Sequence, residues 1–247
     1  MDETIATLDR AGERLAYRRV QGAGPTVVWL GGFASDMAGT KAQALADWAA
    51  AAGRAFLRFD YFGHGESSGD FRQGTIGRWL QDGLAVLDEL TEGPAVLVGS
   101  SMGGWLACLA ALARPGRIKG LVLIAPAADF TERLVWPKLT DEQRRQIEEE
   151  GVWERASPYE PGGIPITRAL IEDGALWSIL PGPVEITAPV RVLQGGRDED
   201  VPWGHALELF QALTSEDAVF TLVRDGDHRL SRPQDLERLV AAVEELV

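Results

Sequence analysis

A serine, a histidine and an aspartate stand in this chain where together they could carry nucleophilic acyl transfer. The serine comes first. Gly99-Ser100-Ser101-Met102-Gly103 follows an apolar run at 95–98 and precedes an Ala/Leu-rich stretch at 103–113. A sharp turn from a buried strand into a helix needs small residues beside the nucleophile, and the glycines at 99 and 103 supply them. Such a turn lifts the Ser101 hydroxyl above the sheet at a helix N-terminus, where free N–H groups and the helix dipole favour a developing oxyanion. Ser100 is its neighbour, but only Ser101 is centred in the pattern. The N–H of Met102 is one candidate oxyanion donor. The second is expected in Gly31-Gly32-Phe33-Ala34, after an earlier strand, as the N–H of Phe33.

The base that takes a serine proton near neutral pH is a histidine, and the chain has three. His228 lies in Asp225-Gly226-Asp227-His228, between the last predicted strand and the last predicted helix. His64, in Gly63-His64-Gly65-Glu66-Ser67, is expected at a turn or a pocket rim, and His205 on a helix surface or rim. In the chain order serine, acid, histidine only His205 and His228 follow Ser101, and only His228 lies on a loop at the carboxyl end of a strand, so His228 is the expected base. The acid is expected just past a strand at 190–193, in Gly195-Gly196-Arg197-Asp198-Glu199-Asp200-Val201-Pro202. Asp198 is best placed to orient the imidazole; Glu199 and Asp200 are the alternatives. The acidic cluster lacks calcium-loop spacing, and no His/Cys constellation is present, so no metal is expected. With no Gly-rich phosphate loop, no cofactor is expected. Cys108, among Leu106, Leu109 and Leu112, reads as an inert buried thiol.

The elements that must position these residues follow from periodicity. Residues 4–20 alternate across Ala11-Gly12 and predict an antiparallel hairpin. Gly22-Ala23-Gly24-Pro25 predicts a turn, and the continuous apolar run 26–30 a strand buried on both faces. A strand at 54–59, a helix at 75–91, strands at 95–98 and 118–124 and later strand–helix pairs continue the alternation. This predicts an α/β fold with a mostly parallel, doubly wound sheet. Residues 127–187 break the rhythm with Trp136, Trp153, Trp177 and six prolines, among them Pro158 and Pro161. A structureless loop of that length is unexpected in a compact domain. It is read as a small helical cap inserted after the sixth strand, on a core of 1–126 and 188–247. Thr140-Asp141-Glu142-Gln143 predicts a capping box opening a helix to about residue 150.

The 247 residues carry a net charge of -13, which repels phosphate backbones and anionic membranes, so no nucleic-acid partner is expected. One cysteine allows no intrachain disulfide. No apolar run reaches membrane-spanning length, and residues 1–20 read as neither a signal nor a transit peptide. The expectation is a cytoplasmic protein.

Several further segments carry a resemblance. Gly31-Gly32-Phe33, the run Ser35-Asp36-Met37-Ala38-Gly39-Thr40-Lys41-Ala42, Arg58-Phe59-Asp60-Tyr61, the Ser101 motif through Trp105, Ala127-Ala128-Asp129, Gly151-Val152-Trp153, Val201-Pro202-Trp203 and Asp227-His228-Arg229 resemble the mitochondrial palmitoyl-protein thioesterases, also described as acyl-glucuronide esterases, of the α/β-hydrolase fold. The similarity runs from about residue 25 to the C-terminus. It implies a serine esterase or thioesterase with Ser101, Asp198 and His228 as its triad. The implied substrates are small or protein-linked acyl esters and thioesters. Trp105, Trp136, Trp153, Trp177 and Trp203 are candidates to line an acyl pocket. The rival readings are a carboxylesterase for small esters, a non-hydrolytic acyltransferase or lyase, and a ligand-binding pseudohydrolase.

Overall fold

Strands that are apolar on both faces must be covered on both faces, and the fold follows from that requirement. The computed structural model describes residues 3–10, 12–156 and 163–247; Ala11, Pro158 and Pro161 lie outside them. In chain order the elements begin with β1 (Thr4–Arg10), β2 (Glu13–Val20), β3 (Ala23–Leu30), α1 (Thr40–Ala52) and β4 (Arg54–Phe59). Then come α2 (Ile76–Leu90), β5 (Ala95–Ser100), α3 (Met102–Ala113) and β6 (Ile118–Ile124). An insertion holds α4 (Asp141–Glu150), β7 (Val152–Arg155), β8 (Ile164–Thr167) and α5 (Arg168–Leu176). The chain closes with β9 (Val190–Gly195), α6 (Trp203–Ala212), β10 (Ala218–Val223) and α7 (Pro233–Glu244).

The main sheet runs β1-β2-β4-β3-β5-β6-β9-β10. β1–β2 and β2–β4 pair antiparallel, and every other pair is parallel. Period-two alternation divides the core. Val27 and Trp29 of β3, with Val96 and Val98 of β5, pack against Leu45 of α1 and Leu239 of α7. Val28, Leu30 and Leu97 face the other way, against Trp79 of α2, Trp105 of α3 and Leu209 of α6. The chain passes from β3 to β4 on one side of β3 and returns to β5 on the other. The loops after β3 and β5 therefore part, opening a crevice at the carboxyl ends of these strands.

Two sequence expectations change in detail. The Gly22–Pro25 turn is mostly strand: Ala23 pairs with Arg54, and a register shift before Val27 absorbs the irregularity. The insertion is not all helical. Its capping box forms, with the Thr140 hydroxyl accepting from the Gln143 N–H and the Gln143 side chain accepting from the Thr140 N–H. β7 and β8, however, make an antiparallel ribbon of four residues a side, too short for periodicity to reveal. The insertion has its own small core of Leu139, Ile147, Ile166 and Ile171.

Its two ends meet at Asp129. This residue is fully buried, with φ 52, and its carboxylate accepts from the Ser178 hydroxyl (2.6 Å) and the N–H groups of Ile179 (2.9 Å) and Leu180 (2.8 Å). A second clasp joins α5 to α2, where Asp173 accepts from the Gly77 N–H at 2.7 Å. Unpairing a buried donor costs ~1–3 kcal/mol, so Asp129→Ala should destabilise the protein by about 3–5 kcal/mol in urea titrations. A loss below about 1 kcal/mol would show that the neck is held by other contacts.

Candidate active site

The strand-to-helix turn after β5 sets the position of Ser101. Its backbone sits at φ 55, ψ -119, a conformation rare for any residue with a side chain. Three peptide hydrogen bonds hold it there. Its N–H donates to the Ile124 carbonyl (2.8 Å), and its carbonyl accepts from Gly104 (2.9 Å) and Ala127 (3.1 Å). The glycine requirement is steric. A Cβ at residue 103 would stand 2.1 Å from the Leu30 carbonyl oxygen, and one at residue 99 2.2 Å from the Gly103 carbonyl oxygen.

The loop after β3 lies beside this turn. A Cβ added at Gly32 would come 3.5 Å from the Ser101 Cβ. Phe33 follows directly. Its ring packs against Phe71 (5.1 Å between centroids), Phe130 (5.5 Å) and Trp79 (5.8 Å), so this backbone is fixed by an aromatic cluster shared between core and insertion. Met102 opens α3, and the first N–H groups of a helix lack intrahelical acceptors.

Asp198 and His228 meet across two neighbouring parallel strands. Asp198 follows β9, and its side chain is fully buried. One oxygen, Oδ1, accepts from the N–H groups of Asp200 (3.0 Å) and Val201 (2.8 Å). The other, Oδ2, accepts from the Gln194 amide (3.1 Å) and lies 2.9 Å from His228 Nδ1. A carboxylate only accepts, so Nδ1 carries the proton and Nε2 keeps the lone pair a general base needs. Glu199 and Asp200 are exposed. Among the described residues, Asp198, Asp200 and His228 form the one cluster with ligand atoms close enough, within 4.8 Å, to hold a metal. Both Asp198 oxygens are already occupied by hydrogen-bond donors.

Sequence reasoning missed two residues here. Lys41 of α1 donates to the Arg229 carbonyl at 2.5 Å, tying down the loop directly after His228. Burial draws its ammonium down to about 8. Gln194, just past the expected strand at 190–193, is not singled out by the sequence. The Lys41 contact spans 188 positions and leaves no local trace; the Gln194 contacts lie within seven positions, but an amide at a strand end has no distinguishing spacing.

The other candidates scatter. Trp105 is fully buried, edge-on to Phe130. Trp136 and Trp153 pack with Phe33 around the core of the insertion, and Trp177 packs on the main core. Trp203 is exposed at 47%. His205, half-buried on α6, has Nε2 2.8 Å from the Ala128 carbonyl. Cys108 is buried, and burial pushes its thiol up to about 12. His64 is not at a rim. It is 4% exposed inside a cage of Tyr61, Phe71 and Trp79, because its turn folds inward against α2.

A doubly wound parallel sheet with a serine on a strand-to-helix turn, and an Asp–His pair beyond the last two strands, defines an α/β-hydrolase. The family described as serine aminopeptidase matches residues 23–147. The mitochondrial palmitoyl-protein thioesterase ABHD10 of Mus musculus is 38% identical over 94% of this chain and 78% of its own. Its mouse structure, α/β-hydrolase domain-containing protein 10, superposes with a TM-score of 0.90 at 37% identity, covering 98% of both chains. A putative hydrolase from Agrobacterium vitis S4 superposes at 0.93, with 45% identity over 100% of this chain and 98% of that one. The chain belongs to this serine hydrolase family and is an ester or thioester hydrolase. Among the described residues, no helix is long and apolar enough to cross a membrane.

Burial draws the His64 imidazole down to about 4. As pH falls, the unfolded chain takes up this proton near the ordinary 6.5 while the folded chain resists it. Stability is therefore lost from pH 6.5 down to about 4 and levels off below. Asp82, pushed up to about 6 by burial, slopes the other way in part of this window, so the readout is a difference. The stability gap between wild type and His64→Phe should close by up to about 3 kcal/mol between pH 6.5 and 4. Parallel curves would show that His64 does not titrate in this window.

Proposed function

We propose that the chain cleaves acyl thioesters, of the S-palmitoyl-protein type, and related acyl esters through Ser101, His228 and Asp198. The observation that carries this reading is the 2.9 Å contact of His228 Nδ1 with buried Asp198, on the side of the sheet where the Ser101 turn emerges. In the first step His228 Nε2 takes the hydroxyl proton as Ser101 Oγ attacks the acyl carbonyl. The N–H groups of Phe33 and Met102 receive the oxyanion. The leaving thiol or alcohol departs with the proton from His228, and an acyl-enzyme remains. Water, deprotonated by His228, attacks that ester, and the free acid leaves as Ser101 regains its proton.

The triad chemistry is the same for a thioester and an oxygen ester, so selectivity rests on the acyl-binding wall. We assign that wall to Trp136 and Trp153, which pack with Phe33 at the core of the insertion; Trp105, Trp177 and Trp203 lie elsewhere. Support for a long acyl chain comes from the thioesterase named among the relatives. A cytoplasmic location is a separate proposal; the relatives' names place those proteins in mitochondria, and cell fractionation reads it directly.

Ser101→Ala and His228→Ala should each lower kcat by about 10³-fold or more. The wild type should hydrolyse a palmitoyl thioester and retain activity on p-nitrophenyl esters from acetyl to palmitoyl. Activity confined to short esters would keep the triad and make the protein a small-ester carboxylesterase. Retained activity in Ser101→Ala would remove the nucleophile assignment.

A further inference from the structure

One buried side chain at the site has an unpaired polar atom, and that oddity has an explanation in the chemistry. Gln194, the penultimate residue of β9, is fully buried. Its amide nitrogen faces only acceptors: the Val201 carbonyl (3.0 Å), Asp198 Oδ2 (3.1 Å) and the Gly195 carbonyl (3.2 Å). Its carbonyl oxygen has no partner. Burying an amide oxygen unpaired costs stability, and an apolar side chain of the same length would avoid that cost. The benefit must therefore lie on the nitrogen. There, one amide nitrogen bridges the two ends of the acid turn, Asp198 and Val201, and donates to the same carboxylate oxygen that accepts the His228 Nδ1–H.

We propose that Gln194 is the positioning residue of the acid–base pair, a neutral donor that fixes Asp198 Oδ2 and tempers its pull on the His228 imidazolium. The proposal rests on the triad reading given above. Two neutral peptide donors hold Oδ1, and they set the height of the carboxyl group. Rotation about its Cβ–Cγ bond, and the charge left for His228, depend on what Oδ2 meets. A neutral donor holds that oxygen without cancelling its charge, as an arginine would. With the Gln194 hydrogen bond removed, the negative charge concentrates on the remaining partner, and the imidazolium is stabilised further.

The test is the pH dependence of kcat/KM on a soluble acyl ester, for wild type, Gln194→Met and Gln194→Glu, with urea unfolding alongside. Gln194→Met removes the orphaned oxygen but also takes a donor from the Val201 carbonyl and Asp198 Oδ2, so the variant should lose stability, and its pH profile is the deciding readout. Its acidic limb should move up by about half to one pH unit, and its kcat should fall roughly tenfold. Gln194→Glu keeps the shape. It should donate to Asp198 while protonated, and lose activity as pH rises and the new carboxyl ionises beside it. A purely structural role predicts lowered stability with an unmoved profile, and that result in either folded variant overturns the proposal. Asp198→Asn and Ser101→Ala, assayed in parallel, separate the two readings. If they retain activity, the triad reading fails and this one with it. If they are inactive while the Gln194 profiles stay unmoved, only the role of Gln194 fails.

Discussion

The close approach of α3 to β3 is the contact on which the rest of this structure depends. Where Gly103 passes the Leu30 and Gly31 carbonyls, even a methyl group would collide, at 2.1 and 2.5 Å. That approach lets the chain leave β5 and enter α3 within one residue, and Ser101 takes the positive φ this demands. Strain of this kind costs ~1–3 kcal/mol per residue and persists only where the surroundings over-determine it. The positive-φ non-glycine residues among those described are Ala34, Ser101, Ala125, Asp129 and Leu230. They lie after β3, β5, β6 and β10, at the carboxyl ends of the strands. The sheet is regular, and the irregular backbone is concentrated at the edge where the chemistry is placed.

The same economy brings Asp198 and His228 together. β9 and β10 are parallel neighbours, with Gly195 opposite Val223, so the loops that follow leave the sheet side by side. They touch through backbone: a Cβ at Gly195 would meet the Asp227 carbonyl oxygen at 2.4 Å. Two side chains 30 positions apart in sequence are then within hydrogen-bonding reach without a long excursion of either loop. Lys41, on the opposite face of the sheet from α3, anchors the far side of the His228 loop by its carbonyl. The geometry is thus assembled from three directions by groups that need not touch a substrate.

Much of this was legible in the sequence, for definite physical reasons. Strands buried on both faces leave unbroken apolar runs, and 26–30 and 95–98 showed them. The Ser101 turn announces itself because sterics exclude every residue but glycine at 99 and 103. The capping box at Thr140 is local and was legible too. The short ribbon β7–β8 was not, since four-residue strands have no measurable period. Nor was the burial of His64: a polar Gly-His-Gly turn looks like surface, and only the packing of Tyr61, Phe71 and Trp79 around it sends it inward. The tryptophans were legible as bulky and apolar, but spacing does not say which of them share a wall. Trp136 and Trp153 share the core of the insertion, while Trp105 lies beneath it and Trp203 stands in solvent.

What spacing could never show is the electrical character of the acid's surroundings. The chain is rich in arginine–carboxylate pairs, and those at Arg133–Glu208, Arg114–Asp88 and Arg145–Glu142 lie at or near the surface, where such pairs contribute little. Asp198 meets a different set of donors: two peptide N–H groups, a neutral amide and the imidazole. A guanidinium in place of any of these would hold the carboxylate more firmly, yet in the proposed mechanism it would neutralise the charge that stabilises the imidazolium formed when the serine proton is taken. Neutral donors fix the group and leave its field intact. A buried carboxylate so held is costly for stability, and in the proposed mechanism its field serves proton transfer, which neutral donors leave available and a guanidinium would not.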